Sequence, residues 1–302
     1  MSENMLLDIQ GLEKAYEGFA LEGVNLVIAP ETIVGFVGAN GAGKTTTIKA
    51  VLGAIRPNGG SIRLFSEEVA SCNPDYVGDG RFAELRKQVG FVPDTCAWPL
   101  EYEVAWAGKV CQMAYDAWDA KRFAALCKEF GLAGNKKIQE LSRGMGMKLS
   151  LAVALSHGAR LLILDEATAG LDPLAREEMV DVLRWVVAEE GCGILMSSHI
   201  TSDLERAADQ VVCIDDGRVL FARPVDEICD LAGVAHCRAA QLDMLLDSHV
   251  YDAGQLRIRR GSYSSDVLVP DRFAFAEAFP EIAVDRVSID EYLSLYLKGE
   301  LQ

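Results

Sequence analysis

Short apolar runs alternate with amphipathic segments through the first two thirds of the chain. Two runs, Ile33–Val37 and 161–164, are uninterrupted, as strands covered on both faces require. The segments 141–156 and 173–190 predict helices, the second with one buried face that includes Met179 and Leu183. This alternation predicts an α/β core. The pattern also predicts helices at 46–56 and 81–88, strands at 5–10, 24–28, 89–92, 191–196, 211–214 and 218–221, and an edge strand at 61–65.

A different pattern interrupts this core. From 101 to 132, apolar residues recur at helical spacing among alanines and charges, which predicts an all-helical insert. Together with the helix at 141–156, the insert forms a predicted helical subdomain over about 95–157. We assign its methionines and aromatic side chains to packing, because such a stripe on a helix is more often core than a ligand site.

The pattern changes again beyond residue 221. The elements predicted there alternate between short helices and short strands, and they carry no chemical motif. We therefore expect a first domain at 1–221 and a small α+β appendage at 222–302. Its predicted elements are helices at 225–232, 272–279 and 288–298, the last opened by a capping box at 288–291, and strands at 255–260 and 265–269.

Composition and charge exclude several classes of protein. Half of the 302 residues are hydrophobic, as in globular chains. No stretch approaches the roughly 18 uninterrupted apolar residues of a membrane-spanning helix. The 45 acidic and 29 basic residues give a net charge of −16, which disfavours binding to nucleic acid or anionic lipid. The eight cysteines lack metal-ligand spacing, so we expect reduced thiols in a cytoplasmic protein.

The stretch after the predicted strand Ile33–Val37 carries the clearest chemistry, because it fits the pattern G-x-x-x-x-G-K-[ST]. Its glycines permit positive φ, so that successive N–H groups can turn inward around an anion. Lys44 supplies a cation for the β- and γ-phosphates, and the Thr45 hydroxyl can ligate Mg²⁺. The stretch predicts a nucleoside triphosphate site, formed by Gly38, Asn40, Gly41, Ala42, Gly43, Lys44, Thr45 and Thr46.

Three further residue groups have a structural and a functional interpretation. Asp165 and Glu166 end a predicted strand, and behind a phosphate loop such a pair favours a site for metal and water. Tyr16 is either a core aromatic or a ligand contact. His199, a histidine that would usually be structural on its own, follows a strand and two serines.

Taken in order, these segments resemble the ATP-binding subunit of an ATP-binding-cassette (ABC) transporter over about residues 6–221. Residues 38–45 match the Walker A loop, and 161–166 match Walker B with its catalytic glutamate. Residues 141–145, Leu-Ser-Arg-Gly-Met, are similar to the family signature L-S-G-G-Q, which other phosphate-loop families lack. Residues 169–172 resemble the D-loop, and His199 stands at the switch-histidine position.

The resemblance implies a fold and a set of roles. The implied fold is a P-loop NTPase cassette with a mixed-sheet core, an antiparallel β subdomain and a helical subdomain. Thr45 would ligate Mg²⁺ directly and Asp165 through water. Glu166 would orient or deprotonate the attacking water, with Lys44 and His199 as the other catalytic groups. The remaining implied contacts are Tyr16 with adenine, and Ser142, Gly144, Met145 and Asp172 with the nucleotide of an opposite subunit.

Three positions depart from the family pattern. Asp94 stands where most members carry a glutamine in the Gln-loop, so it is a further candidate for reaching the metal or water. Arg143 and Met145 replace the common Gly and Gln of the signature, a variant that looks like subunits paired with separate ABC-2-type permeases. Ala167 replaces the proline common after the catalytic glutamate, with little expected consequence.

The leading hypothesis is the Mg²⁺-dependent ATPase subunit that powers a separate transmembrane permease, with export favoured. We expect the chain to pair with a second ATP-binding subunit, identical or related, and to lie at the cytoplasmic face of the membrane through the permease. The alternative is a soluble ABC ATPase in DNA repair or translation. Such proteins usually carry a coiled-coil insertion, zinc-binding cysteines or two cassettes, and the acidic charge also argues against nucleic acid. A third hypothesis, a regulatory nucleotide-binding protein with little hydrolysis, is disfavoured by the presence of Glu166 and His199.

Overall fold

The computed structural model describes residues 5–71, 81–95, 98–252 and 254–301. The chain divides into two units, Met1–Ala222 and Arg223–Gln302. The strands of the first unit form a four-stranded and a six-stranded sheet, and those of the second unit form a five-stranded sheet. Of the helices in these described ranges, none has the length and apolarity needed to cross a membrane.

The strands of the first unit are β1 (Leu7–Tyr16), β2 (Phe19–Ile28), β3 (Ile33–Val37), β4 (Gly59–Leu64), β5 (Glu67–Ser71), β6 (Val89–Val92), β7 (Leu161–Asp165), β8 (Gly193–Ser197), β9 (Gln210–Asp215) and β10 (Arg218–Pro224), the last of which runs into the second unit. The helices are α1 (Lys44–Val51), α2 (Arg81–Arg86), α3 (Val104–Ala114), α4 (Ala120–Glu129), α5 (Arg143–Ser156), α6 (Pro173–Glu190) and α7 (Thr201–Ala207).

The six-stranded sheet has the order β10-β9-β3-β8-β7-β6. Strand β8 pairs in parallel with β3 on one side and with β7 on the other, and Ser197 lies opposite both Phe36 and Asp165. Because parallel strands end at the same edge of a sheet, the segments after β3 and β7 begin side by side. This register places the phosphate loop beside Asp165.

The four-stranded antiparallel sheet differs from its prediction in several strands, and β2 begins at Phe19 rather than at the predicted residue 24. Strand β1 continues to Tyr16, beyond the predicted end at residue 10, through an irregularity at Gly11 that adopts a φ of 59°. Strand β4 is not an edge strand, because β5 pairs along its other side. The sequence of β5 lacks clear apolar alternation, so no strand was predicted there. The loop expected over 71–80 lies almost wholly outside the described residues.

The helical subdomain consists of α3, α4 and α5, with a 3₁₀ turn at Ile138–Glu140 before α5. Asp119 caps α4 by accepting hydrogen bonds from the Lys121 and Arg122 N–H groups at 2.9 Å. Gly108 lets α3 approach α4, since a Cβ there would come within 2.7 Å of the Phe123 ring. Helix α7 was not predicted, because its seven residues are too short for a clear helical period.

The second unit contains strands and helices around a core centred on Phe275, Val267 and Ile258. The predicted helix at 225–232 is a π-helical turn at Glu227–Leu231, and several short elements were missed. The sheet has the order β14-β11-β13-β12-β15. Its elements are β11 (Gly233–Cys237), α8 (Ala239–Asp247), β12 (Arg257–Arg260), β13 (Ser265–Val269), α9 (Arg272–Ala278), β14 (Val284–Arg286), α10 (Ile289–Lys298) and β15 (Glu300–Leu301).

Two phenylalanines on α9 give a test of this core. Phe275 is 0% exposed and contacts the Phe279 ring, whereas Phe273 is 61% exposed. Truncating the buried ring leaves a cavity, so Phe275→Ala should lower the free energy of unfolding by about 3–5 kcal/mol. Phe273→Ala should cost at most about 1 kcal/mol, mainly the cation–π contact with Arg272. Urea unfolding monitored by circular dichroism measures both, and equal losses would contradict this core.

Candidate functional site

The phosphate loop lies between β3 and α1, and its glycines are required by the backbone and its neighbours. Gly41 and Gly43 have φ values of 85° and 119°. A Cβ on Gly43 would approach Leu21 to 2.5 Å, and one on Gly38 would approach the Ile214 carbonyl oxygen to 2.2 Å. The loop therefore accepts no side chain at these positions, and its N–H groups can converge on an anion.

A cavity of about 580 Å³ opens over this loop. Its lining includes Gly18 and Phe19 from the β1–β2 hairpin, which the sequence did not single out. Tyr16 lies on the same hairpin opposite Phe19, half exposed, with Lys14 Nζ 5.5 Å from its ring centre. The other lining residues are Ala39, Asn40, Gly41, Gly43, Lys44, Thr45, Thr46 and Glu166; the buried Ala42 is not among them.

Lys44 is buried and its ammonium group is held by the loop itself. Nζ donates to the carbonyl oxygens of Gly38 at 2.6 Å and Ala39 at 3.2 Å. It also lies 3.6 Å from Glu166 Oε1. The nearby Cys213 thiol is inert at neutral pH, because burial raises its pKa to about 12 despite the opposing charge of Lys44. The thiol therefore adds no charge, and Lys44 pairs with Glu166 at this part of the site.

Glu166 adopts a φ of 52°, which is uncommon for a residue with a side chain. Two interactions with Ser197 hold its backbone: the Glu166 N–H donates to the Ser197 Oγ at 3.0 Å and to the Ser197 carbonyl at 3.2 Å. The Ser197 hydroxyl in turn donates to Asp165 Oδ1 at 2.7 Å. Ser197 therefore orients both acidic residues, and sequence inspection missed it because it lies 31 residues beyond Glu166.

The carboxylate of Glu166 lies between two cationic or polar partners. Oε1 is near Lys44, and Oε2 is 2.5 Å from His199 Nδ1. A carboxylate only accepts, so Nδ1 must carry the proton in this contact. The structure thus joins three residues that the sequence predicted as catalytic.

Asp165 and Thr45 face each other across the sheet edge. The Thr45 hydroxyl donates to Asp165 Oδ2 at 3.4 Å. A hydroxyl and a carboxylate are hard oxygen donors of the kind that Mg²⁺ prefers. The described residues contain no cluster of three or more His, Cys, Asp or Glu that could hold a metal ion. This donor set fits Mg²⁺, which is usually bound through one or two protein oxygens together with phosphates and water.

The signature residues lie elsewhere, at the start of α5. Ser142 is the N-cap, and its Oγ accepts from the Met145 N–H at 3.3 Å. Gly144 packs its backbone against the segment that contains Leu171. Asp172 caps α6 by accepting from the Ala175 N–H at 3.0 Å. Among the described residues of a single chain, no hydrogen bond joins these groups to the phosphate loop.

Asp94 lies with the signature residues. It shares a cavity of about 170 Å³ with Ser142 and Arg143, and its carbonyl accepts from Arg143 Nη2 at 2.7 Å. Within the described ranges, no hydrogen bond joins it to Thr45 or Asp165. Its assignment as a metal or water ligand therefore stays a prediction.

A polar cluster of Asp203, Arg176 and Thr168, close to His199, was not found from the sequence. Asp203 follows His199 by four residues, on α7, and lies 3.7 Å from the Arg176 Nε. Burial raises the pKa of the Asp203 carboxyl, while Thr168 and Arg176 oppose the shift. The Thr168 hydroxyl is fully buried. The cluster joins α7 to the segment between Glu166 and α6.

Comparison with known proteins agrees with this geometry. Residues 21–169 match the family model described as ABC transporter. The chain is 35% identical to the Nod factor export ATP-binding protein I of Burkholderia orbicola over 218 residues, which cover 70% of this chain and 68% of that protein.

The chain belongs to the ABC transporter family. It is 31% identical to the daunorubicin/doxorubicin resistance ATP-binding protein of Streptomyces peucetius over 74% of this chain and 66% of that protein. A solved ATP-binding subunit of an ABC transporter superposes with a TM-score of 0.64 at 30% identity, covering 74% of this chain and 91% of that one. The predicted cassette fold, ATP binding and ATPase activity are confirmed.

The Ser197 contacts give a prediction for this ABC ATPase. Ser197→Ala removes the hydrogen bond to Asp165 and one of two acceptors for the Glu166 N–H. A hydrogen bond to a charged group is worth about 1.5–3 kcal/mol, so the ATPase rate should fall roughly 10- to 100-fold. Ser156→Ala is the matched control, because Ser156 is equally buried but its hydroxyl donates to the Ala152 carbonyl within α5. Equal rates for both variants would refute the role of Ser197.

Proposed function

We propose that this ABC ATPase is the motor subunit of an exporter and drives a separate transmembrane permease. The observation that carries the proposal is the meeting of Lys44, Glu166 and His199 at the phosphate-loop cavity, which is the arrangement that hydrolysis of a triphosphate needs. The direction of transport is supported by the similarity to ATP-binding proteins named for Nod factor export and drug resistance.

The phosphate loop binds the triphosphate by replacing internal acceptors. Lys44 exchanges the Gly38 and Ala39 carbonyls for β- and γ-phosphate oxygens, which are stronger acceptors because they are charged. The N–H groups of the loop and of the first turn of α1 complete the cradle. Thr45 and Asp165 would hold Mg²⁺ at this point, which supplies charge neutralisation for the phosphates.

Glu166 orients the attacking water and accepts its proton. Its Oε2 is fixed by His199, and its backbone is fixed by Ser197, so the carboxylate has a defined direction. Movement of Lys44 towards phosphate frees Oε1 for the water. His199 keeps its Nδ1–H on Glu166, so it donates to the γ-phosphate through Nε2–H, which requires the imidazolium form.

A second copy completes each site. Ser142 uses a lone pair of Oγ to cap α5, so its O–H remains able to donate to a phosphate. Gly144, Met145 and Asp172 lie at the same end of α5 and α6 and provide the other contacts of the opposite nucleotide. Tyr16 stacks on adenine beside Phe19 at the rim of the cavity.

The permease docks on the helical insert (101–132) and on the segment after β6, residues 93–95, which we call the Asp94 loop. Leu100 and Tyr102 are about half exposed, and the Tyr102 ring stacks on Trp106 with ring centres 4.0 Å apart. Exposed apolar and aromatic side chains of this kind are typical of protein interfaces. Docking there places the ATPase on the inner face of the cell membrane.

Substituting Glu166 tests the hydrolytic role. Glu166→Gln keeps the shape and loses the base, so the ATPase rate should fall by about 10²- to 10⁴-fold. Binding of a fluorescent ATP analogue should stay within a few-fold of the wild type. Glu189→Gln, an exposed glutamate on α6, is the matched control and should keep the wild-type rate. Wild-type turnover by Glu166→Gln would disprove the assignment.

Affinity purification from detergent-solubilised membranes tests the transport role. The tagged chain should recover a polytopic membrane protein, and Tyr102→Ser should reduce the recovery because it removes an exposed aromatic from the docking surface. Tyr263→Ser is the control, since Tyr263 is 97% exposed and lies in the second unit. Recovery of ribosomal RNA or DNA in place of a membrane protein would instead favour the alternative soluble role.

A further inference from the structure

Arg143 contacts two loops that lie far apart in the sequence. It is the first residue of α5, and its Nη2 donates to the Asp94 carbonyl at 2.7 Å. Its guanidinium also lies against Gly170, because a Cβ on Gly170 would meet Arg143 Nη1 at 2.8 Å. One side chain therefore contacts the loop after β6 and the loop between β7 and α6.

The contact between Arg143 and Asp94 borders an open cavity rather than packed core. Asp94 and Arg143 both line the cavity of about 170 Å³ near the start of α5. Since little side-chain packing fills this cavity, the guanidinium is the group that connects the Asp94 loop to α5. An arginine suits such a connection, because its planar guanidinium presents donors in several directions at once.

The contact with Gly170 depends on the absence of a side chain there. Gly170 has a φ of 74°, and the space that a Cβ would need is taken by the guanidinium. On the neighbouring side, a Cβ on Gly144 would make ordinary contacts with Leu171 and Ala175 at 3.6 and 3.7 Å. The start of α5 and this loop therefore form one packed body, to which Arg143 ties the Asp94 loop.

We propose that Arg143 is a positioning residue that transmits displacement of the Asp94 loop to the start of α5 and to Gly170. The inference rests on the proposed function, in which the Asp94 loop faces the permease while Ser142 and Asp172 serve the opposite nucleotide. Movement at the permease then reaches the second ATP site through a single guanidinium. Lysine cannot replace it, because an ammonium on a flexible stem cannot contact both loops in a fixed geometry.

Hydrogen–deuterium exchange of the full chain alone tests, without a permease, whether Arg143 holds the two loops that it contacts. Arg143→Ala should raise amide exchange about fivefold or more in peptides covering 89–95 and 168–172, because both loops lose a shared anchor. Lys148→Ala is the matched control: it removes a cation from the same helix whose partner is Glu178 on α6. Unchanged exchange in both peptides of Arg143→Ala would overturn the proposal.

A second measurement tests the coupling in the complex reconstituted with its permease. The ratio of ATPase rate in the complex to that of the chain alone should fall at least threefold in Arg143→Ala and Arg143→Lys, and stay at the wild-type value in Lys148→Ala. An unchanged ratio in Arg143→Ala would overturn the coupling role. If the ATPase rate of the wild-type chain does not depend on a permease, the proposed function fails. The exchange result alone then decides whether Arg143 holds the two loops.

Discussion

The site depends on the register of three parallel strands, β3, β8 and β7. Ser197 at the end of β8 lies opposite Phe36 on one neighbour and Asp165 on the other, so the phosphate loop and the two carboxylates leave the sheet at the same edge. A shift of one residue in either pairing would turn the side chains to the opposite face. The apolar side chains of these strands are buried, and Phe36, Ile163 and Leu195 share a core with the four-stranded sheet, which makes the edge a rigid support.

Strain and charge meet at Glu166, which follows the end of β7. Its backbone lies in a region that costs of order 1–3 kcal/mol for a residue with a side chain, and such strain persists only where neighbours over-determine it. Ser197 does so through two hydrogen bonds to one N–H, and His199 and Lys44 fix the carboxylate. The same groups that stabilise the strained residue are those that the proposed hydrolysis uses, so folding and catalysis share one network.

Contiguous chemistry was visible in the sequence, whereas contacts between distant segments were not. The phosphate loop, the helices at 141–156 and 173–190, and β3 were predicted because their determinants lie within a few neighbouring residues. Ser197, Phe19 and Asp203 became visible only in the fold, since each acts on a segment far away in the chain. Strand β4 was predicted as an edge strand because its pairing with β5 is also a contact that the sequence does not show. Strand β11 and helix α8 were missed because they are short and weakly patterned. The roles of Tyr16 and Asp94 stay predictions.

The central claim is that one chain holds the triphosphate and a second chain supplies Ser142 to complete the site. Sedimentation of the Glu166→Gln variant tests it most directly, because bound ATP then persists. With Mg²⁺ and ATP, the mass should double from 32.8 kDa, and Lys44→Ala in the same background should abolish the change. A variant that binds ATP yet stays monomeric alone, beside its permease and beside any sister subunit would contradict the account.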